Sequence, residues 1–138
     1  MRRIDSQRLF RIIDANFNRS KEALRVLEDV SRFFLDDKVL TRQFKDIRHE
    51  LTGSLQLLKI KKLIAAREVN SDVGKKSSLS ELKRKAIADI FLANAQRLKE
   101  SMRVLEEFTK LISIKSSGQI KNLRYKIYVF EKKAAAKL

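Results

Sequence analysis

The chain has 138 residues with no cysteine and one histidine, which excludes disulfides, thiolate metal sites and histidine clusters. Its formal net charge of +15 creates a positive field that attracts phosphate, carboxylate or nucleic acid. No segment approaches the roughly 20 apolar residues of a membrane span, and the basic N-terminus lacks an apolar signal segment, so we expect a cytoplasmic protein without membrane contact.

The absence of proline and the many Leu, Ala, Lys, Arg and Glu residues favour long helices over a sheet. A first helix is predicted over residues 5–35, with an apolar stripe that includes the Phe33–Phe34 pair. Asp36–Asp37 is predicted to cap a second helix that runs to about Ala66. Residues 67–77 then break the periodicity and form the one sizeable predicted loop.

The second half of the chain has its own helix signals. Residues 78–81, Ser-Leu-Ser-Glu, are typical of a capping box and predict a third helix that ends near Ile114. Ser116–Gly118 is predicted to form a turn. A fourth helix is then expected from about Gln119, and the final residues 134–138 are expected to fray.

An internal repeat organises the chain. Residues 15–29 and 93–107 are identical at nine of fifteen positions, and six of these identities are polar. Each copy is followed by a related segment, QFKDIR and then QIKNLR. We therefore predict one domain, 1–138, with related halves over about 5–66 and 78–134. The predicted fold is an all-α antiparallel four-helix bundle, built from two duplicated helical hairpins with pseudo-twofold symmetry.

Placing residues at 100° intervals puts eight polar residues in or beside the apolar stripes. They are Asn16, Arg19, Glu22, Arg48, Asn94, Arg97, Glu100 and Arg124. The four arginines need anionic partners, because a buried guanidinium without one costs several kcal/mol. Two interpretations remain open. Either the two glutamates pair with the arginines as internal ion pairs, or the arginines line a site for phosphate, with the asparagines orienting a substrate.

The remaining polar identities of the repeat point away from the stripe centre. Arg25 with Glu28, and Arg103 with Glu106, are spaced as surface charge pairs. The matched lysines at positions 21 and 99 are expected to be solvated.

The predicted loop carries the pattern A-R-x4-D-x-G, which contains Arg67, Asp72 and Gly74. A loop over the end of a bundle can bring an arginine to phosphate and an aspartate to Mg²⁺, which prefers one or two carboxylates plus substrate oxygens. The chain has neither a phosphate-binding P-loop sequence nor a dinucleotide fingerprint. Any nucleotide is therefore expected to be held by side chains and helix ends.

Several motifs together resemble one known family. They are D-A-N-x-N-R-x-x-E-x-L-R-V-x-E-D over 14–29, the central A-R-x4-D-x-G, N-x-x-R-x-x-E-x-x-R-V-L-E-E over 94–107, and R-Y-x-x-Y over 124–128. This combination resembles the small all-helical hydroxymethylpyrimidine-phosphate kinases, which occur alone or fused to the N-terminus of thiamine-phosphate synthase. The chain looks like the standalone form.

The resemblance implies transfer of the ATP γ-phosphoryl group to 4-amino-5-hydroxymethyl-2-methylpyrimidine phosphate, with Mg²⁺ as cofactor. It implies catalytic roles for Arg19, Arg97, Arg67 and Asp72, with the arginines at the phosphates and Asp72 at Mg²⁺. Substrate or ATP binding is expected of Asn16, Asn94, Arg48, Arg124, Arg25, Arg103 and Gly74. Candidate Mg²⁺ ligands are Glu22, Glu100 and Asp72. A homodimer remains open.

The alternative is a basic helical protein that binds nucleic acid or another polyanion, as the net charge suggests. The basic residues are spread over all four predicted helices and do not concentrate in one segment, which disfavours this alternative. A third class is a helical interaction protein whose inward arginines are purely structural.

Overall fold

The computed structural model describes residues 3–56, 58–78 and 84–138. The described residues contain helices and no strand, as the composition predicts. Their α-helices are α1 Arg3–Asp29, α2 Lys38–Ser54, α3 Ile60–Ala66, α4 Ile87–Thr109 and α5 Ile114–Ala135. None of them is long and apolar enough to cross a membrane.

The end of α1 changes its helical type. Val30–Phe34 forms a π-helical turn, closed by a hydrogen bond of 3.0 Å from Leu35 N to the Val30 carbonyl. Phe33 and Phe34 are 67% and 57% exposed, so their predicted place in the core is wrong. The wider turn moves these residues out of the 3.6-residue phase on which that prediction rested.

The second predicted helix is two helices. Asp37 caps α2 as predicted, because its carboxylate accepts a hydrogen bond of 2.9 Å from Leu40 N. However, α2 ends at Ser54, and the predicted extension to Ala66 is wrong. Gly53 weakens the last turn, and the Ser54 hydroxyl donates to the Leu51 carbonyl at 2.7 Å, which competes with continued helix hydrogen bonding.

The third long helix, α4, begins at Ile87, where the Asp89 carboxylate accepts from Ala86 N at 3.0 Å. The predicted capping box lies largely outside the described residues, since 79–83 are not among them. The helix ends at Thr109, five residues before the predicted end at Ile114.

The turn before α5 also differs from the prediction. Ser113 is the N-cap and accepts a hydrogen bond of 3.1 Å from Ser116 N, which starts the helix at Ile114. Ser116–Gly118 therefore lies inside α5, and the predicted turn there is wrong. Fraying of the tail is also wrong for Ala134, which is fully buried within the helix.

Among the described helices, α1 packs against α2, α3 and α4, while α5 packs against α2 and α4. Phe44 of α2 lies at the centre, with its ring edge-on to Phe91 of α4 and Phe130 of α5 at centroid distances of 6.2 Å each. Across the α1–α4 contact, the buried hydroxyls of Ser20 and Ser101 hydrogen-bond at 2.7 Å. These contacts set the two repeat segments face to face.

Candidate functional site

The two repeat segments enclose a cavity of about 600 Å³ between α1 and α4. Its walls come from five pairs of residues at matched positions of the sequence repeat, together with Gly74 from the loop. The pairs are Asn16 with Asn94, Arg19 with Arg97, Glu22 with Glu100, Ala23 with Ser101, and Val26 with Val104. We call this space the central cavity.

Arg19 and Arg97 face the central cavity between the two helices, but both are exposed, so only their predicted burial is wrong. Their long stems let the guanidinium groups reach solvent from the edge of the apolar stripe. Arg19 Nη1 lies 3.4 Å from Asn16 Oδ1. Glu22 and Glu100 are likewise exposed on the cavity wall, so the central cavity is lined by both guanidinium and carboxylate groups.

The two asparagines of the cavity make the same backbone contact. Asn16 Nδ2 donates to the Ile12 carbonyl at 2.9 Å, and Asn94 Nδ2 donates to the Ile90 carbonyl at 2.8 Å. Each bond reaches back one helical turn and fixes the orientation of the amide before any ligand binds. The predicted orienting role is compatible with this arrangement.

Arg48 and Arg124 are held away from the central cavity by buried carboxylates. Arg48 Nε donates to Glu28 at 3.1 Å, and Arg124 Nε and Nη2 each lie 3.0 Å from Glu106 Oε2. Burial acts to lower the pKa of Arg124, but its hydrogen bonds with Tyr128 and Glu106 outweigh this effect and raise it.

These pairs correct two predictions. Glu28 and Glu106 are not surface residues, since only 5% and 3% of their surfaces are exposed. They, and not Glu22 and Glu100, are the partners of the inward arginines. The signal that could have found them is the repeat itself, because both glutamates are among its polar identities.

Arg25 and Arg103 lie on the exposed side of the same carboxylates. Arg25 Nη1 is 3.6 Å from Glu28 Oε2, and Arg103 Nη1 is 3.7 Å from Glu106 Oε2, as the i,i+3 spacing predicts. Neither guanidinium lines the central cavity, although Arg103 borders a smaller cavity of about 340 Å³ beside Arg124 and Tyr128.

The matched lysines are partly buried, so the expectation of full solvation is wrong for both. Lys21 Nζ donates to the Thr52 hydroxyl at 2.9 Å, whereas Lys99 Nζ forms an ion pair with Glu131 at 2.9 Å. Burial lowers the pKa of Lys21, and the positive charges of Arg48 and Arg25 lower it further.

The loop closes over α1 through an ion pair that the sequence analysis missed. Arg67 Nε and Nη2 donate to the two oxygens of buried Asp14 at 2.8 and 2.9 Å. This carboxylate raises the pKa of Arg67 by hydrogen bonding and by its charge. Asp72 Oδ1 accepts from Gly74 N at 2.8 Å, which shapes the turn at the tip of the loop.

The loop borders a second cavity of about 660 Å³ that adjoins the central cavity, since both are lined by Asn16, Arg19 and Glu22. Arg67 and Asp72 lie on its other wall. The structure therefore brings all four predicted catalytic residues to two adjoining cavities, with Arg97 in the central one.

The predicted metal ligands do not form a protein-only metal site. Within the part of the chain that the structure describes, no three His, Asp or Glu residues are placed to hold an ion together. Glu22 and Glu100 face the same cavity, and Asp72 faces the adjoining one. One or two carboxylates beside a cavity that admits a phosphorylated substrate suit Mg²⁺, which takes the rest of its ligands from substrate oxygens and water.

The chain is similar to known proteins over most of its length. Residues 11–133 match the ThiD2 family. The chain is similar to thiamine-phosphate synthases of Thermosynechococcus vestitus (38% identical, 92% of this chain), Rhodopirellula baltica (34%, 93%) and a Synechocystis species (37%, 88%). It spans only 35%, 34% and 34% of the length of these relatives. No solved structure matches the chain significantly.

Proposed function

Because the chain belongs to the ThiD2 family, we propose that it is an ATP-dependent hydroxymethylpyrimidine-phosphate kinase of thiamine biosynthesis. The reaction transfers the γ-phosphoryl group of ATP to 4-amino-5-hydroxymethyl-2-methylpyrimidine phosphate and yields the diphosphate and ADP. The family relationship and the names of the similar enzymes support the pathway. The chemistry of the central cavity supports the reaction.

The observation that carries the proposal is the repeated Asn-Arg-Glu lining of the central cavity. The central cavity, at about 600 Å³, and the adjoining cavity, at about 660 Å³, each fall within the size range of small-molecule sites. Arg19 and Arg97 present guanidinium groups from opposite helices, which suits charge that spreads over the phosphoryl oxygens in the transition state.

In the proposed reaction, an oxygen of the acceptor phosphate forms a bond to the γ-phosphorus of ATP while the bond to the β–γ bridging oxygen breaks. The acceptor oxygen is already anionic, so no general base is needed to deprotonate it. Arg19, Arg97 and Arg67 orient and neutralise the phosphates, and the asparagines orient the substrates. Glu22, Glu100 or Asp72 would hold Mg²⁺ together with phosphate oxygens, and the ion would supply further charge neutralisation.

The proposal includes the finer architecture, a four-helix bundle of two related hairpins. Two ion pairs that link α2, or the residue before it, to α5, or the residues after it, support this architecture. Asp37, before α2, pairs with Lys137, after α5, while Glu50 late in α2 pairs with Lys126 in the middle of α5. These contacts are those of antiparallel neighbours. An approximate twofold axis would then pass through the central cavity, between the matched walls.

The test is a coupled ADP-release assay with Mg-ATP and hydroxymethylpyrimidine phosphate, with the unphosphorylated alcohol as the control substrate. We expect turnover of the phosphate ester only, because the alcohol leaves the cations of the site uncompensated. Arg19→Met and Arg97→Met should each lower kcat/KM by about 100-fold or more, the scale of losing one transition-state charge partner. Arg42→Met, at an exposed arginine of α2, is the matched control.

A folded wild-type protein that turns over neither compound would overturn the kinase proposal in favour of polyanion binding. That alternative predicts affinity for nucleic acid that falls steeply with salt. Full activity in folded Arg19→Met and Arg97→Met would instead remove the central cavity from the mechanism.

A further inference from the structure

The cavity of about 660 Å³ that adjoins the central cavity has two walls of different charge. The α1 wall carries three arginines, Arg8, Arg11 and Arg19, which project from one face of the helix. The loop wall carries the carboxylates of Glu68 and Asp72. An anion and a cation that enter this cavity together therefore each meet a wall of opposite charge.

The arginines of the α1 wall have no carboxylate partner within the described residues. Arg8 and Arg11 take part in none of the hydrogen bonds or ion pairs found there, and the one side-chain contact of Arg19 is that with Asn16 Oδ1 at 3.4 Å. Buried Arg124, by contrast, is neutralised by Glu106. The three guanidinium groups of the α1 wall are thus available to a ligand.

The ion pair between Arg67 and Asp14 holds the loop wall beside α1. Only 4% of the surface of Asp14 is exposed, and its Oδ1 also accepts a hydrogen bond of 3.1 Å from Asn18 Nδ2. Asp14 binds Nε and Nη2 of Arg67, and the described contacts of Arg67 include none of Nη1. Arg67 can therefore hold the loop and still donate one group to a ligand in the cavity.

The second half of the chain does not reproduce this wall. Continuing the repeat alignment towards the start of each copy matches Arg8 with Ala86, Arg11 with Asp89, and Asp14 with Leu92. The matched aspartate reverses the charge of Arg11, and its carboxylate is engaged at the start of α4. The matched leucine has no carboxylate for a loop arginine. The adjoining cavity is therefore a feature that distinguishes the two halves.

The magnesium complex of a nucleoside triphosphate is complementary to both walls. Guanidinium groups bind phosphate oxygens bidentately, and a triphosphate chain offers such oxygens to several arginines at once. Mg²⁺ on the β- and γ-oxygens takes further ligands from carboxylates, which the loop wall supplies in Asp72. The central cavity instead combines two amides with the small side chains of Ala23 and Val104, which suits a small heterocycle.

We propose that the adjoining cavity is the donor subsite, in which Arg8 and Arg11 bind the triphosphate chain of the nucleotide, while the acceptor occupies the central cavity. This assignment rests on the proposed kinase function and adds to it two phosphate-binding residues and a place for each substrate. Arg19 and Glu22 border both cavities, so the γ-phosphoryl group of the bound donor lies beside them.

The first test is calorimetric titration of the full chain with Mg²⁺ and adenylyl imidodiphosphate, a non-hydrolysable ATP analogue, in the absence of acceptor. Arg8→Gln and Arg11→Gln should each raise Kd by about tenfold or more, the scale of losing one charge-assisted hydrogen bond. Arg42→Gln removes the same charge from an exposed position of α2 that lines none of the described cavities. This control should change Kd by less than about threefold.

Equal losses in the cavity variants and in Arg42→Gln would overturn the assignment, because the analogue would then respond only to the net charge of +15. Inorganic tripolyphosphate, used as a second probe without base or ribose, should show the same order of affinities among the variants. Binding of tripolyphosphate that is unaffected by Arg8→Gln and Arg11→Gln would likewise overturn it.

Two further variants at Arg11 separate loss of binding from loss of folding. Arg11→Asp supplies the residue of the matched position and should weaken binding more than Arg11→Gln. Arg11→Lys keeps the charge and should recover part of the affinity that Arg11→Gln loses. Because α1 is partly exposed at this position, both variants should keep the circular dichroism of the wild type. Wild-type affinity in folded Arg11→Asp would contradict the proposal.

Steady-state kinetics distinguish this inference from the kinase proposal. Arg11→Gln should raise the KM for ATP by about tenfold or more and change the KM for hydroxymethylpyrimidine phosphate by less than about threefold. Wild-type turnover with equal shifts in both KM values would remove the donor subsite and leave the kinase. Analogue binding that depends on Arg8 and Arg11, in a wild type without turnover, would leave the subsite and remove the kinase.

Discussion

The Glu106–Arg124 pair gives the sharpest stability prediction, because one substitution should leave a buried guanidinium without its carboxylate. The side chains of Glu106 and Arg124 are 4% and 10% exposed, and two guanidinium nitrogens lie 3.0 Å from the same carboxylate oxygen. In Glu106→Ala, the remaining described contact of Arg124 Nη1 is Tyr128 Oη at 3.5 Å. This weak hydrogen bond cannot replace the carboxylate.

Breaking a buried pair from one side costs about 3–5 kcal/mol, because the remaining charge stays desolvated. At about 3 °C per kcal/mol for a chain of this size, Glu106→Ala should lower Tm by roughly 10–15 °C. Urea unfolding followed by circular dichroism at 222 nm gives the free energy directly. The control is Glu107→Ala, at the adjacent, largely exposed carboxylate, which should leave the midpoint nearly unchanged.

The reasoning also predicts strong coupling between the partners. In an Arg124→Met background, Glu106→Ala should lower the free energy of unfolding by much less than in the wild type, because no buried guanidinium is left without a partner. If Glu106→Ala alone lowers the free energy of unfolding by less than about 1 kcal/mol, or by equal amounts in the two backgrounds, the account is refuted.

Two further predictions concern the loop and the start of α2. Arg67→Met removes the bidentate contact with Asp14, so amide hydrogen exchange in the loop should accelerate while exchange in the core stays constant. Unchanged exchange in the loop would show that this ion pair does not hold the loop in place. The pKa of Asp37 is lowered by its hydrogen bonds with Leu40 N and Lys137, so its stabilisation is present above about pH 4 and is lost as pH falls through the folded-state pKa. Asp37→Asn should therefore show a smaller loss of stability between pH 5 and pH 2 than the wild type, and identical acid profiles would contradict this.

The sequence predicts the helical character and the cap at Asp37 because both depend on local preference. The helix ends that the sequence predicts wrongly depend on hydrogen bonds between neighbouring turns. Ser113 and Ser116 are both plausible turn residues, and only the bond from Ser116 N to the Ser113 hydroxyl shows which of them starts α5. Likewise, the π-helical turn that exposes Phe33 has no counterpart in a pattern based on a 3.6-residue period.

The candidate site shows a different limit. Helical phase gives the direction in which a side chain leaves the backbone, but it does not give where a long side chain ends. Arg19 leaves α1 at the edge of the apolar stripe and reaches solvent in the central cavity, whereas Arg48 turns towards Glu28 on the neighbouring helix. The repeat therefore predicts which residues act in pairs, while the partner of each depends on packing between helices.

A site enclosed by matched walls raises a specific difficulty for the proposed kinase reaction, whose two substrates differ. Equivalent halves would bind the donor and the acceptor alike, so selectivity has to arise at positions where the repeat is broken. Thr52, which matches Tyr128, and Leu55, which matches Glu131, are such positions. Thr52 contacts Lys21, whereas Tyr128 and Glu131 both contact Lys99. Substitutions that make these positions alike in the two halves should therefore weaken discrimination between ATP and the acceptor more than they disturb the fold. A change to a matched pair such as Arg19 and Arg97 should instead impair phosphoryl transfer itself.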